Sequence, residues 1–292
     1  MRPLLALAIV LGTAAAMTAA VAQERDERGS SRTAATLAAQ ALPSPQTALP
    51  RGPVRLAESL TATTRLLRDA VARWDASAAV PRDVTHLALH HQRMLRFMAK
   101  RRELGDATLA RLPRDVRGEA RDTVLGKRHL AAIPRSPASL PRVRVAAAPP
   151  AVQLRRHYAV AQRRFGVHWS ILASVNLVES AFGRVRSASE AGAQGPMQFL
   201  PSTWRQYGMG GDIDDPHDAI QGAANYLRRS GAREDLDRAL FAYNHSTSYV
   251  RAIRRFASRM RADERTFKTY YAWQVYVRTP AGVRRLTGPG RG

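Results

Sequence analysis

The chain has 292 residues, 46 Lys+Arg against 23 Asp+Glu, no cysteine and 45% hydrophobic residues. That apolar content excludes a wholly disordered chain. The missing cysteine excludes a disulfide scaffold, a thiolate nucleophile, Cys-ligated zinc and a lipid-anchored N-terminal cysteine. The net charge is +23, and Lys100, Lys127 and Lys268 are the only lysines, so the charge is almost all arginine. Guanidinium groups favour planar contacts with carboxylates and phosphates, so a polyanionic environment is expected: nucleic acid, anionic lipid or an acidic polymer.

Residues 1–22 read as a signal peptide. Arg2 precedes an apolar run from Leu4 to Leu11, and Ala20-Val21-Ala22 forms an A-x-A cleavage site before Gln23. A membrane anchor would need roughly 20 strongly apolar residues, and the second half here is mostly Ala, Thr and Gly. A secreted, extracytoplasmic protein is therefore expected, with genomic DNA an unsuitable partner.

Residues 23–55 carry Pro43, Pro45, Pro50 and Pro53 without helical or strand period and read as a flexible linker. A basic helical region follows over 56–130. Leu56, Leu60, Leu67, Val71 and Trp74 recur at helical spacing. A second helix is expected after Pro81, with Asp83 as its cap, and a third between Asp115 and Leu130. His86 and His90 stand one helical turn apart, a spacing that can chelate a metal. Without a third ligand they read as a solvated helix face. Residues 131–150, rich in Pro, Arg and Ala, read as a second linker.

The signals sharpen from residue 151. Leu154, Tyr158, Ala161 and Phe165 form a helical stripe that Gly166 stops. Ser170 is the expected cap of the next helix, which runs through Val175 and Val178 to Phe182-Gly183. Asp215-Pro216 opens another helix, and Ser246 caps the one bearing Tyr249, Ile253, Phe256 and Met260. Residues 261–292 form a C-terminal extension. In it Trp273, Val275 and Val277 alternate before Pro280-Ala281-Gly282, which predicts a short hairpin.

Glu179 lies in the last turn of an apolar helix, where burial and the helix dipole both favour a protonated carboxyl. A protonated glutamate is what a general acid for glycosidic cleavage requires. On local chemistry alone, an ordinary exposed glutamate at a helix end is the better reading. Its neighbours reverse that order. Glu179-Ser180, then Ser189-Glu190-Ala191-Gly192-Ala193-Gln194-Gly195-Pro196-Met197-Gln198, then Ala242-Tyr243-Asn244, resemble the three ordered motifs of soluble lytic transglycosylases. The resemblance spans about 151–260. The form Gly195-Pro196-Met197-Gln198-Phe199-Leu200-Pro201 looks like the branch common in secreted actinobacterial enzymes.

This resemblance implies a mainly α, lysozyme-like (goose-type) catalytic domain over 151–260, with peptidoglycan glycan strands as substrate. It implies Glu179 as the catalytic acid and then base, with Ser189, Gln198, Tyr243 and Asn244 contacting substrate. It also implies that Tyr243 orients the Glu179 carboxyl. Two departures stand out: one extra residue between Glu179 and Ser189, and His245-Ser246 after Asn244 in place of Ala-Gly. The alternatives are a hydrolytic muramidase and a non-catalytic wall-binding or scaffold protein.

No second carboxylate faces the bond in the motifs, which suits assistance by the sugar's own N-acetyl group. Asp212, Asp214 and Asp215 read as turn and cap residues. No cofactor and no metal ligand set is expected, and the chain is expected to be a monomer. Residues 23–149 hold 23 basic and 12 acidic residues, so the Arg-rich N-terminal region is expected to bind anionic cell-wall polymers. The segment 151–292 is then expected to keep chemistry on soluble fragments while losing affinity for intact wall.

Overall fold

A computed structural model describes residues 42–134, 143–279 and 282–290. The signal peptide, most of the first expected linker and residues 135–142 of the second lie outside them. Residues from Pro43 onward form one compact unit, in which the described residues carry eleven helices and one hairpin. The helices are α1 (Pro53–Arg73), α2 (Arg82–Lys100), α3 (Arg102–Arg111), α4 (Arg114–Ala131), α5 (Ala151–Phe165), α6 (Trp169–Ser180), α7 (Pro201–Tyr207), α8 (Pro216–Arg229), α9 (Leu236–Tyr243), α10 (Thr247–Ala262) and α11 (Arg265–Tyr271). β1 (Tyr276–Thr279) and β2 (Gly282–Arg285) pair antiparallel, Tyr276 opposite Arg285, which is the expected hairpin. No described helix is long and apolar enough to cross a membrane. The fold is mainly α, as the motifs imply.

Capping chemistry sets most boundaries. Gly166 ends α5 at φ 75°, Asp215 caps α8 through the Asp218 N–H, and Ser246 caps α10 through the Tyr249 N–H. Two expected caps fall elsewhere. α2 starts at Arg82, so Asp83 lies inside its first turn and accepts from the Val84 N–H. α6 starts at Trp169, and the His168 ring accepts from the Ser170 N–H in place of Ser170 acting as cap. In both cases a polar side chain one or two residues from the boundary can reach the same free N–H groups, and packing selects the register.

One apolar core runs through residues of α1–α6 and α8–α11. α4 packs along α10, so closely that a Cβ at Gly126 would stand 2.9 Å from the Phe256 ring. The Thr123 and Tyr270 hydroxyls bond at 2.7 Å in the interior. Gln92 and Gln274 exchange two hydrogen bonds, and Lys268 donates to the carbonyls of Val71 and Trp74. Asp122 on α4 holds both Arg255 and Arg259 on α10. Helical spacing showed that residues 56–130 possess apolar faces; α1–α4 cover these against one another, and α10 and α11 cover them from the other side.

Residues 143–150 are likewise engaged. Val145 bridges Val185, Ala146 donates to Arg184 O at 2.9 Å and Arg186 to Arg144 O at 3.0 Å. The segment expected to be a linker thus lies against the loop that follows Glu179. His86 and His90 do not form a solvated face. His86 Nδ1 contacts Pro43 O at 3.1 Å, and His90 is 6% exposed because its side of α2 turns into the core.

Candidate active site

α6 is buried on every side from Trp169 to Asn176, and Leu177, Val178 and Glu179 are the first residues to emerge, half-buried. The helix then reverses sharply, with Ala181, Phe182 and Gly183 all left-handed at φ 53°, 65° and 79°. Such a conformation costs about 1–3 kcal/mol for each non-glycine residue and persists only where its surroundings enforce it. Here Phe182, fully buried against Phe267 and Tyr271, is the enforcing contact. The reversal therefore fixes the end of the helix that carries Glu179.

Polar groups on α6 lock the next motif in place. The Ser180 hydroxyl and the Asn176 amide both donate to Pro196 O, at 2.6 and 2.8 Å, and Ser180 Oγ accepts from the Gly183 N–H. The Tyr158 hydroxyl donates to Asn176 Oδ1 and sets the amide's orientation. The loop 194–199 is a tight turn, closed by Gln194 and Phe199 exchanging backbone bonds of 2.8 and 2.9 Å. Gly195 and Gln198 sit inside it at φ 74° and 50°, and Gln198 Nε2 donates to Gly195 O. A Cβ at Gly195 would collide with Ile213 O, and the left-handed φ adds strain. Gly195→Ala is thus expected to destabilise the protein by about 2 kcal/mol or more, read as a lowered midpoint in chemical denaturation.

Aromatic rings line the same region. Phe199 contacts Trp204 (5.3 Å between centroids) and Tyr243 (5.7 Å), Tyr226 lies edge-on to Tyr243 (5.4 Å), and Tyr243 is parallel to Tyr249 at 6.5 Å. The Tyr249 hydroxyl donates to Glu179 Oε1 at 2.6 Å. Tyr243, expected to orient Glu179, instead donates its proton to Met197 O at 2.7 Å. The correction is geometric. Tyr243 ends α9 facing the 194–199 turn, while Tyr249 stands in the first turn of α10 facing α6. Burial first, and then the Glu179 carboxylate, push both hydroxyls well above the ordinary tyrosine range. Both therefore remain protonated donors at any working pH.

The other expected site residues divide. Gln198 stands in the turn that Tyr243 and Ser180 hold. Asn244 ends α9 in an extended conformation, its N–H donating to Leu240 O, with its side chain half-buried. Ser189 is exposed and closes its own turn, its hydroxyl accepting from the Ala193 N–H at 3.0 Å. Asp212 and Asp215 accept from the backbone N–H groups of Asp214 and Asp218, as turn and cap residues do. Tyr249, Asn176 and Ser180 were not singled out from sequence. The available signal was a tyrosine on an apolar stripe directly after a cap, since a buried phenol needs a polar partner.

No curated protein and no solved structure matches the chain. Residues 157–266 match the family model described as Transglycosylase SLT domain, a lysozyme-like family of peptidoglycan-acting transglycosylases. The match begins in α5, ends in α11 and contains all three motifs with the residues that hold them together. Residues 157–266 are thus similar to a transglycosylase SLT domain.

Proposed function

We propose that the protein is a lytic transglycosylase that cleaves the β-1,4 bond between N-acetylmuramic acid and N-acetylglucosamine, with Glu179 as acid and then base. The observation that carries this reading is the 2.6 Å bond from Tyr249 to a half-buried Glu179, beside a turn and an aromatic row suited to sugar rings. Glu179 gives its proton to the glycosidic oxygen as the C1–O bond breaks, and the muramyl N-acetyl oxygen supports C1. The carboxylate then takes the proton of the C6 hydroxyl while O6 bonds to C1. The product is a 1,6-anhydromuramyl end, and no water is consumed. In this reading Gln198 and Asn244 offer amide groups to the sugars, Ser189 presents the outer loop, and Tyr243 supports the turn. The enzyme acts outside the cytoplasm after cleavage near Ala22.

Digestion of purified peptidoglycan followed by mass spectrometry of the sugar ends tests the reading. Anhydro ends are the expected result. Ends heavier by one water would make the enzyme a muramidase, and an undigested wall would leave a binding protein.

Tyr249 is a positioning residue in this scheme, and its removal has a signed effect. Its hydroxyl stabilises the carboxylate form of Glu179. Tyr249→Phe should therefore move the alkaline limb of the pH–rate profile to higher pH and lower kcat about tenfold, because the acid is less well oriented. An unchanged limb with a lower melting temperature would reduce Tyr249 to a packing role.

A further inference from the structure

The first turn of α8 carries a constellation of side chains that the proposed reaction does not use. Asp215, His217 and Asp218 each place a ligand atom within 4.8 Å of the others. His217 Nδ1 contacts Asp218 Oδ1 at 3.0 Å, and Asp218 Oδ2 accepts from the Asp212 N–H. A carboxylate on Nδ1 of a histidine fixes the tautomer whose Nε2 lone pair is free, the second-shell pattern of metal-bound imidazole. The side chains of His217 and Asp218 are 46% and 35% exposed, so a small ion can reach them.

The second imidazole comes from another helix. His157 on α5 meets His217 with ring centroids 5.3 Å apart and planes at 71°. Two imidazoles on one tetrahedral ion, with bonds of about 2.0–2.1 Å, put their ring centres about 5.2 Å apart. Local charge points the same way. The chain has 46 Lys+Arg, yet among the described residues none forms an ion pair with Asp212, Asp214, Asp215 or Asp218. The ring that contacts Asp218 there is the His217 imidazole.

A further side chain is polar and lacks a partner. Gln221 is 2% exposed, and neither its Oε1 nor its Nε2 has a hydrogen bond. It stands one helical turn beyond positions 217 and 218, angularly between them, and helical side chains lean toward the N-terminus.

We propose that His157, Asp215 and His217 form a binding site for a divalent transition-metal ion of the zinc type, with Asp218 orienting His217. Two nitrogens and one carboxylate leave a fourth position for water. The ion ties α5 to the start of α8. α8 in turn carries Tyr226, whose hydroxyl donates to Ala242 O beside Tyr243. The site departs from the sequence expectation of no metal ligands because the two histidines lie 60 residues apart and meet only through packing of α5 on α8.

The test uses the untagged full chain, stripped with a chelator and titrated with zinc against a chromophoric competitor. One equivalent is expected to bind with a micromolar or tighter dissociation constant and to raise the melting temperature. His157→Ala and His217→Ala should each weaken binding at least tenfold, Asp218→Asn about tenfold, and His129→Ala not at all. Cobalt(II) loading of the unmutated chain gives a second measurement independent of variant folding, with the strong visible bands of a tetrahedral site expected. Less than one equivalent bound in excess zinc, unchanged uptake by His157→Ala, or the weak bands of octahedral cobalt would each overturn the proposal. Zinc uptake should persist in Glu179→Gln, so failure of this site and failure of the catalytic reading remain distinguishable.

Discussion

Glu179→Gln should lower the rate of glycan cleavage by about 10²–10⁴-fold, the usual contribution of a positioned general acid. The substitution keeps shape and leaves an amide oxygen to accept from Tyr249, whose hydroxyl lies 2.6 Å from Oε1 in the unmutated protein. What it removes is the transferable proton. Binding to insoluble peptidoglycan should therefore survive while release of soluble muropeptides falls away. Sedimentation of the protein with wall and chromatography of released fragments measure the two effects separately. Undiminished release by pure Glu179→Gln protein would remove Glu179 from the mechanism.

A chain beginning at Ala151 should fail to fold cooperatively, and should therefore lose activity on soluble glycan fragments as well as on intact wall. The charge distribution alone leads to the opposite expectation, that 151–292 keeps its chemistry and loses only wall affinity. The packing decides between them. Without residues 43–150, Phe256 loses the surface at Gly126, Tyr270 loses Thr123, and Trp273 loses His91 and Lys127. These three rings are 2%, 1% and 5% exposed in the whole unit. Uncovering them costs about 2 kcal/mol each, a sum comparable with the 5–15 kcal/mol that holds a typical domain together. The truncation also strips the partners of Gln274 and Lys268 and the segment bridged to Val185. Far-UV circular dichroism through a thermal ramp, with cleavage of soluble fragments in parallel, checks this outcome. A sharp melt and retained cleavage would show that α5–α11 suffice.

Most of what the sequence determined is local. Apolar residues at helical spacing located the helices, because one turn brings i and i+4 onto one face. Asp215, Pro216, Gly166 and Ser246 marked ends because each satisfies or tolerates a terminal backbone geometry within three residues. The three motifs, read with Glu179, resemble those of the family whose model matches residues 157–266.

Tertiary structure alone decided which partners meet. The Tyr249 hydroxyl reaches a carboxylate 70 residues away, Ser180 and Asn176 grip Pro196 O, and His157 meets His217. Periodicity records that a side chain faces inward, but not what it faces. For the same reason the apolar faces of residues 56–130 were legible, while the helices covering them were not. Contacts between elements distant in sequence depend on how whole surfaces pack, and no spacing along the chain encodes that packing.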